Sequence, residues 1–166
     1  MFGSPVTDVD KNSTASNLNG ASLHNISYVR NRLKSEFGIT DIQFCGIAGN
    51  FVQESSFYPT AEEYVGKPIK GGKGLAQWTD DRRVAAEVWL GMPIIEAPLS
   101  RQVDYLIYEL KNTEKSTILA IKETNTVSDA VIAFEKNFER AETPNFKKRI
   151  EYGNLVKKYI ESGQIS

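Results

Sequence analysis

One feature limits the fold of this chain more than any other. Apolar residues have helical spacing on both sides of a glycine-rich stretch. Apolar side chains recur every three or four residues from Asn25 to Phe37, again up to Glu54, and then from Val84 onward. Residues 56–77 lack this period, contain four glycines and have no alternation long enough for a strand. The pattern predicts a mainly α fold, a helical lobe with a short loop or hairpin excursion that carries a cleft.

Composition excludes several classes of function. Twenty basic and twenty-one acidic residues leave a net charge of −1, so nothing favours binding to nucleic acid. The single cysteine, Cys45, and the single histidine, His24, exclude an internal disulfide and a Cys/His metal cluster, and we expect neither metal nor cofactor. No apolar run approaches the roughly 18 to 20 residues of a membrane span, and we expect no signal peptide.

The chain divides into a polar beginning and one domain. Residues 1–20 are rich in Ser, Thr, Asn, Asp and Gly, which is typical of a flexible arm or linker. Residues 21–166 hold the helical pattern and fit a single core. We therefore expect one catalytic or binding domain behind an N-terminal arm.

Glu54 is the residue whose position suggests chemistry. It falls in or near the last turn of an apolar helix, where the helix dipole disfavours a negative charge, and Phe51 and Phe57 are close enough in sequence to desolvate it. A carboxyl kept neutral in this way can act as the general acid of a glycosidase. The alternative is a solvated glutamate at a helix end.

Three segments together resemble the phage tail lysozyme family. They are residues 46–59, which end in Gln-Glu-Ser-Ser-Phe-Tyr-Pro, residues 74–79 with the run Gly-Leu-Ala-Gln-Trp-Thr, and residues 134–141 with Phe-Glu-Arg-Ala. The resemblance covers roughly residues 25–160. It implies a lysozyme-like fold of the α+β class that cleaves the glycan strands of peptidoglycan, located in the virion on a phage tail and attached there through the arm to other tail or baseplate proteins.

The resemblance also assigns roles to individual residues. It implies that Glu54 protonates the glycosidic oxygen, that Ser55 accompanies it at the substrate, and that Gln77 lines the sugar cleft. Two other outcomes stay open, a lytic transglycosylase that uses the same Glu54 and a non-catalytic tail or baseplate component that binds glycan.

The second carboxylate departs from the expected pattern. Goose-type lysozymes, which share the Gly-Leu-x-Gln motif, have an aspartate two residues after its glutamine, and this chain has Thr79 there. Glu63, Asp80 and Asp81 are the remaining candidates for a base or nucleophile, with Glu63 ranked first. A transglycosylase needs no such group.

Aromatic residues in and after the glycine-rich stretch are candidates for stacking on sugar rings. Tyr58, Tyr64 and Trp78 belong to this group, and for Trp78 packing in the core is an equal alternative. Trp89 shares a helical stripe with Val84 and Val88, which predicts a core position.

Two pairs of charged residues are expected to have no part in catalysis, one at the surface and the other in structural contacts. Arg82 and Arg83 follow the motif at the start of a helix, where a cation gains nothing from the dipole, and we expect them at the surface. Glu139 and Arg140 are predicted to form an ion pair or helix-end contacts.

Overall fold

The computed structural model describes residues 18–63 and 71–166, and these residues confirm the mainly α prediction. They form seven α-helices, one 3₁₀ turn and one π-helical turn, and they contain no strand. The helices are α1 (Gly20–Phe37), α2 (Asp41–Ser55), α3 (Asp80–Leu90), α4 (Leu99–Lys111), α5 (Lys115–Lys122), α6 (Val127–Phe134) and α7 (Phe146–Glu161), with the 3₁₀ turn at Ile94–Glu96 and the π turn at Glu135–Glu139.

Local signals set the ends of the first two helices. Helix α1 ends at Phe37 with Gly38 as its C-cap, and Thr40 caps α2 in a reciprocal pair of hydrogen bonds with Gln43. Helix α1 begins at Gly20, before the predicted Asn25, because Asn19 caps it. Most of the predicted arm, residues 1–17, lies outside the described residues.

Helix α2 is the centre of the fold, because it packs against α6 on one side and α7 on another. Almost all of its side chains are buried. At Gly49 the backbones of α2 and α7 approach so closely that a Cβ would overlap the Arg149 carbonyl oxygen and lie 2.8 Å from the Gly153 nitrogen. Cys45 is fully buried in the same helix, which confirms it as a small packed side chain.

The excursion between α2 and α3 is a short irregular turn structure. Its described residues form two isolated antiparallel bridges, from Glu62 to Lys73 and from Lys73 to Trp78. Gly74 has a φ of +80°, and a side chain there would meet Gln102 on α4. The buried amide of Gln102 accepts from the Leu75 N–H at 2.9 Å and fixes the excursion to α4.

Helix α3 contradicts the prediction that Trp89 lies in the core. Trp89 is 37% exposed, and Val84 and Val88 on the same stripe are more exposed still. The helix buries only Ala86 and Leu90, while the Trp89 ring packs against tyrosines of α4 at the surface. Spacing identified the helix, but the apolar stripe is not the side that meets the rest of the protein.

The Gly49→Ala variant is expected to lose about 1–3 kcal/mol of unfolding free energy, because the added methyl group forces α2 and α7 apart. Urea denaturation followed by circular dichroism measures the loss. Gly20→Ala is the matched control, since a Cβ at Gly20 meets nothing within 4 Å. Equal stability of the two variants would show that the close approach is not needed.

Candidate active site

Glu54 lies in the last turn of α2 and is bound by a buried arginine of α7. Arg149 Nη2 donates to Glu54 Oε2 at 2.6 Å, and the two side chains are 3% and 13% exposed respectively. Arg149 also donates to Asn50 Oδ1 at 2.9 Å and to the Pro144 carbonyl oxygen. The alternative of a solvated helix-end glutamate is therefore excluded, and Glu54 has a cation beside it that no local pattern indicated.

Glu54 opens onto a polar cavity of about 540 Å³, a size typical of ligand sites. The walls come from the end of α2, the excursion, the start of α3, and the segment from the π turn to α7. The lining includes five acidic side chains. The lining residues are Gln53, Glu54, Glu63, Gln77, Thr79, Asp80, Glu139, Arg140, Ala141, Glu142, Thr143 and Arg149.

The cavity brings together four of the residues singled out from the sequence. Glu54, Glu63, Gln77 and Asp80 all line it, although they come from three separate segments. Asp81, next to Asp80, is not part of the wall.

The predicted tyrosines have different outcomes. Tyr58 does not line the cavity, and its hydroxyl is instead a hydrogen-bond partner of the Asn19 amide before α1. Tyr64 lies outside the described residues.

Ser55 is not positioned to bind substrate, so this expectation is wrong. It is fully buried, and its hydroxyl donates to the Leu75 carbonyl oxygen at 2.7 Å. Helix α2 turns Ser55 toward the excursion while it turns Glu54 toward the cavity. Ser55 and Gln102 therefore hold Leu75 from two sides.

Trp78 belongs to the core, which confirms the second of its two predicted positions and removes it from the sugar cleft. Its side chain is 1% exposed, and the indole N–H donates to Glu109 Oε1 at 2.8 Å. The polar edge of the ring is thus satisfied inside the protein. Trp78 fastens the end of the excursion to α4.

Arg82 is part of the same internal network rather than an exposed cation. It pairs with the buried Glu109 at 3.2 Å, donates to the Phe138 carbonyl oxygen at 2.7 Å, and lies over the Phe138 ring. Burial raises the pKa of Glu109, against the opposing effects of Arg82 and Trp78. The network connects α3 and α4 to the π turn.

Glu139 is the site residue that the sequence interpretation missed. It ends the π turn and lines the cavity. Arg140 has the structural role predicted for it, because it pairs with Glu114 at 2.7 Å and its backbone N–H donates to the Glu135 carbonyl oxygen at the end of the turn. Burial, and next the charge of Glu54, raise the pKa of Glu139 well above its usual range. Glu139 follows the buried Phe138 directly in the family motif, but its direction depends on the π turn, which no spacing rule predicts.

The cavity wall contains acceptor atoms without partners among the described residues. The Oε1 atoms of Gln53 and Gln77 and the Oε2 atom of Glu139 are buried and accept no hydrogen bond there. Buried polar atoms of proteins are nearly always paired, so these three atoms are an exception within the described residues. The described residues contain no group of three or more His, Cys, Asp or Glu side chains arranged for a metal ion.

The family assignment follows from the whole sequence. The profile of the phage tail lysozyme family matches residues 24–160, which is most of the chain. The chain belongs to the phage tail lysozyme family. No curated protein matches it. Membership makes this chain a peptidoglycan-lytic enzyme of phage and supports a location in the virion tail.

Within the described part of the chain, no helix has the length and apolar content needed to cross a bilayer.

Three wall residues of this phage tail lysozyme have strained backbones. Gln77, Asp80 and Arg140 have φ values of 53°, 49° and 52°, a left-handed region that side chains other than glycine rarely adopt. Such strain persists only where surrounding contacts enforce it, and it is common at functional sites. The packed helices thus hold the cavity wall in a fixed shape.

The Ser55→Ala variant is expected to lose about 1–3 kcal/mol of unfolding free energy, since the buried Leu75 carbonyl oxygen loses a donor. Ser100→Ala, at an exposed position of α4, is the control and should change stability by less than about 0.5 kcal/mol. Chemical denaturation compares both with wild type. Unchanged stability of Ser55→Ala would contradict the structural role.

Proposed function

We propose that this phage tail lysozyme is a muramidase that cleaves peptidoglycan between N-acetylmuramic acid and N-acetylglucosamine, with Glu54 as general acid. The observation that carries the proposal is a partly exposed carboxyl, that of Glu54, which opens onto a polar cavity of about 540 Å³. The hydroxyl and acetamide groups of a glycan strand suit a polar cavity of this size.

The chemistry requires one proton and a stabilised cation-like sugar. Glu54 gives its proton to the glycosidic oxygen, and the bond from that oxygen to the anomeric carbon breaks. A water oxygen then bonds to that carbon while one proton of the water passes to a carboxylate of the site. The carboxylate left on Glu54 is stabilised by Arg149, which already donates to it at 2.6 Å. The acidic walls favour the positive charge that develops on the sugar ring.

The Glu54→Gln variant is expected to lyse purified cell walls at least about 100-fold more slowly than wild type, because an amide has no acidic proton to transfer. Turbidity loss measures the rate. Glu123→Gln, an exposed glutamate at the end of α5, is the matched control and should keep wild-type activity. Equal lysis by Glu54→Gln and wild type would remove Glu54 from the mechanism.

For hydrolysis we propose that Glu63 or Asp80 acts as the second carboxylate. Both line the cavity, and Glu63 remains first because it belongs to the excursion that forms one wall. In an inverting enzyme this group activates the water, and in a retaining enzyme it attacks the sugar. A lytic transglycosylase dispenses with it, since a hydroxyl of the substrate itself closes the anhydro ring.

The double variant Glu63→Gln with Asp80→Asn distinguishes these reactions. A muramidase that uses either residue is expected to lose about 100-fold in rate, because both candidate carboxylates for the activation of water are removed. Mass spectrometry of the wild-type products should show sugars that have gained one water. Asp81→Asn, outside the cavity wall, is the control. Anhydro products together with an active double variant would replace the muramidase by a transglycosylase.

A glycan-binding tail component is the alternative from another class. The absence of an aspartate at Thr79 favours it. Wild-type protein that sediments with cell walls but releases no product at any pH would establish binding in place of catalysis.

Attachment to other tail or baseplate proteins through residues 1–20 is also a proposal, and a pull-down with and without those residues tests it.

A further inference from the structure

Glu139 shares the cavity with Glu54 but forms no ion pair within residues 18–63 and 71–166. Its Oε2 atom is buried and unpartnered among the described residues, and it ends the π turn that faces α2. Arg140, the nearest basic residue in sequence, is committed to Glu114. The Glu139 carboxyl is therefore shielded from water and lies near the carboxyl of Glu54.

The charges that face Glu139 from the surrounding helices cancel in pairs. Glu54 of α2 is bound by Arg149 of α7, and Glu109 of α4 is bound by Arg82 of α3. Each pair is neutral when its acid is ionised, so neither provides a free positive charge for Glu139. Among the described residues, the other charged groups on the cavity wall are Glu63, Asp80, Arg140 and Glu142.

A second negative charge in this cavity is consequently costly. One buried guanidinium, that of Arg149, balances one carboxylate, and two carboxylates beside it would leave an uncompensated charge away from water. Neighbouring carboxyls in this situation lose their protons in two separate steps that belong to the pair. The raised pKa of Glu139 agrees with this view.

We propose that Glu54 and Glu139 together hold one proton in the resting site, with Arg149 balancing the single remaining negative charge. The proposal rests on the proposed role of Glu54 as the acid. Glu139 acts through Glu54 as a positioning residue, because ionising both carboxyls is unfavourable. The site therefore keeps a proton for the glycosidic oxygen at a higher pH than the Glu54 and Arg149 pair alone would.

The charges at the site decide in which direction Glu139→Gln moves the pH dependence of activity. In Glu139→Gln the site is already neutral when Glu54 is ionised beside Arg149, so the proton leaves at lower pH. When the acid transfers its proton in the wild type, the O–H bond of Glu54 breaks and a new O–H bond forms on the departing sugar oxygen. The basic limb of the pH–rate profile shows up to which pH that proton is available.

The test compares the pH dependence of wall lysis in wild type, Glu139→Gln and the exposed control Glu123→Gln. The basic limb of Glu139→Gln is expected to move to lower pH by about one unit or more, while its rate at acid pH stays within about threefold of wild type. Glu123→Gln should follow the wild-type profile. A Glu139→Gln profile with the wild-type basic limb would overturn the proposal.

A second measurement does not depend on activity or on a variant that folds. Carboxyl ¹³C NMR of the wild-type protein, labelled at glutamate, should show Glu54 and Glu139 taking up protons in two coupled steps, one of them well above the ordinary acid range. Ordinary, independent titration of both groups would overturn the pair.

The two proposals fail in different ways. Coupled titration in a protein that does not lyse walls would keep the carboxyl pair and remove the muramidase. Lysis that depends on Glu54 but shows no coupled titration would keep the muramidase and remove the pair.

Discussion

The close contact between α2 and α7 is the constraint on which the site depends. Gly49 lets the two backbones touch, and this contact brings Arg149 beside Glu54 although the two residues are 95 positions apart. A buried ion pair costs desolvation energy unless its remaining groups are bonded. Here Asn50 and the Pro144 carbonyl oxygen accept from two more N–H groups of Arg149, which offsets part of that cost.

Two further connections hold the cavity walls against this helix pair. Ser55 and Gln102 fix Leu75 of the excursion, one from α2 and the other from α4. The second connection links Trp78 and Arg82 through buried Glu109 to the carbonyl oxygen of Phe138, next to Glu139. Because both connections end on rigid helices, the cavity is preorganised, which suits a site that must place one proton on one oxygen.

Local sequence signals predicted what depends on neighbouring residues. The helical spacing that ends at Phe37 and the position of Glu54 in the last turn of α2 both follow from rules that act over a few residues. The same rules were wrong for Trp89, because a period identifies an apolar side without saying whether another element covers it. They also left the partners of Ser55 and Trp78 undetermined, since those partners lie far along the chain.

By itself the sequence determined a mainly α chain, an interruption rich in glycine, and a glutamate at the end of an apolar helix. It also determined the family, because the motifs around Glu54 and Gln77 keep their order and spacing. Only the tertiary structure decided which charged groups share the cavity. Arg149 and Glu139 come to Glu54 through helix packing and a π turn, and electrostatic coupling depends on distance in space rather than on separation in sequence.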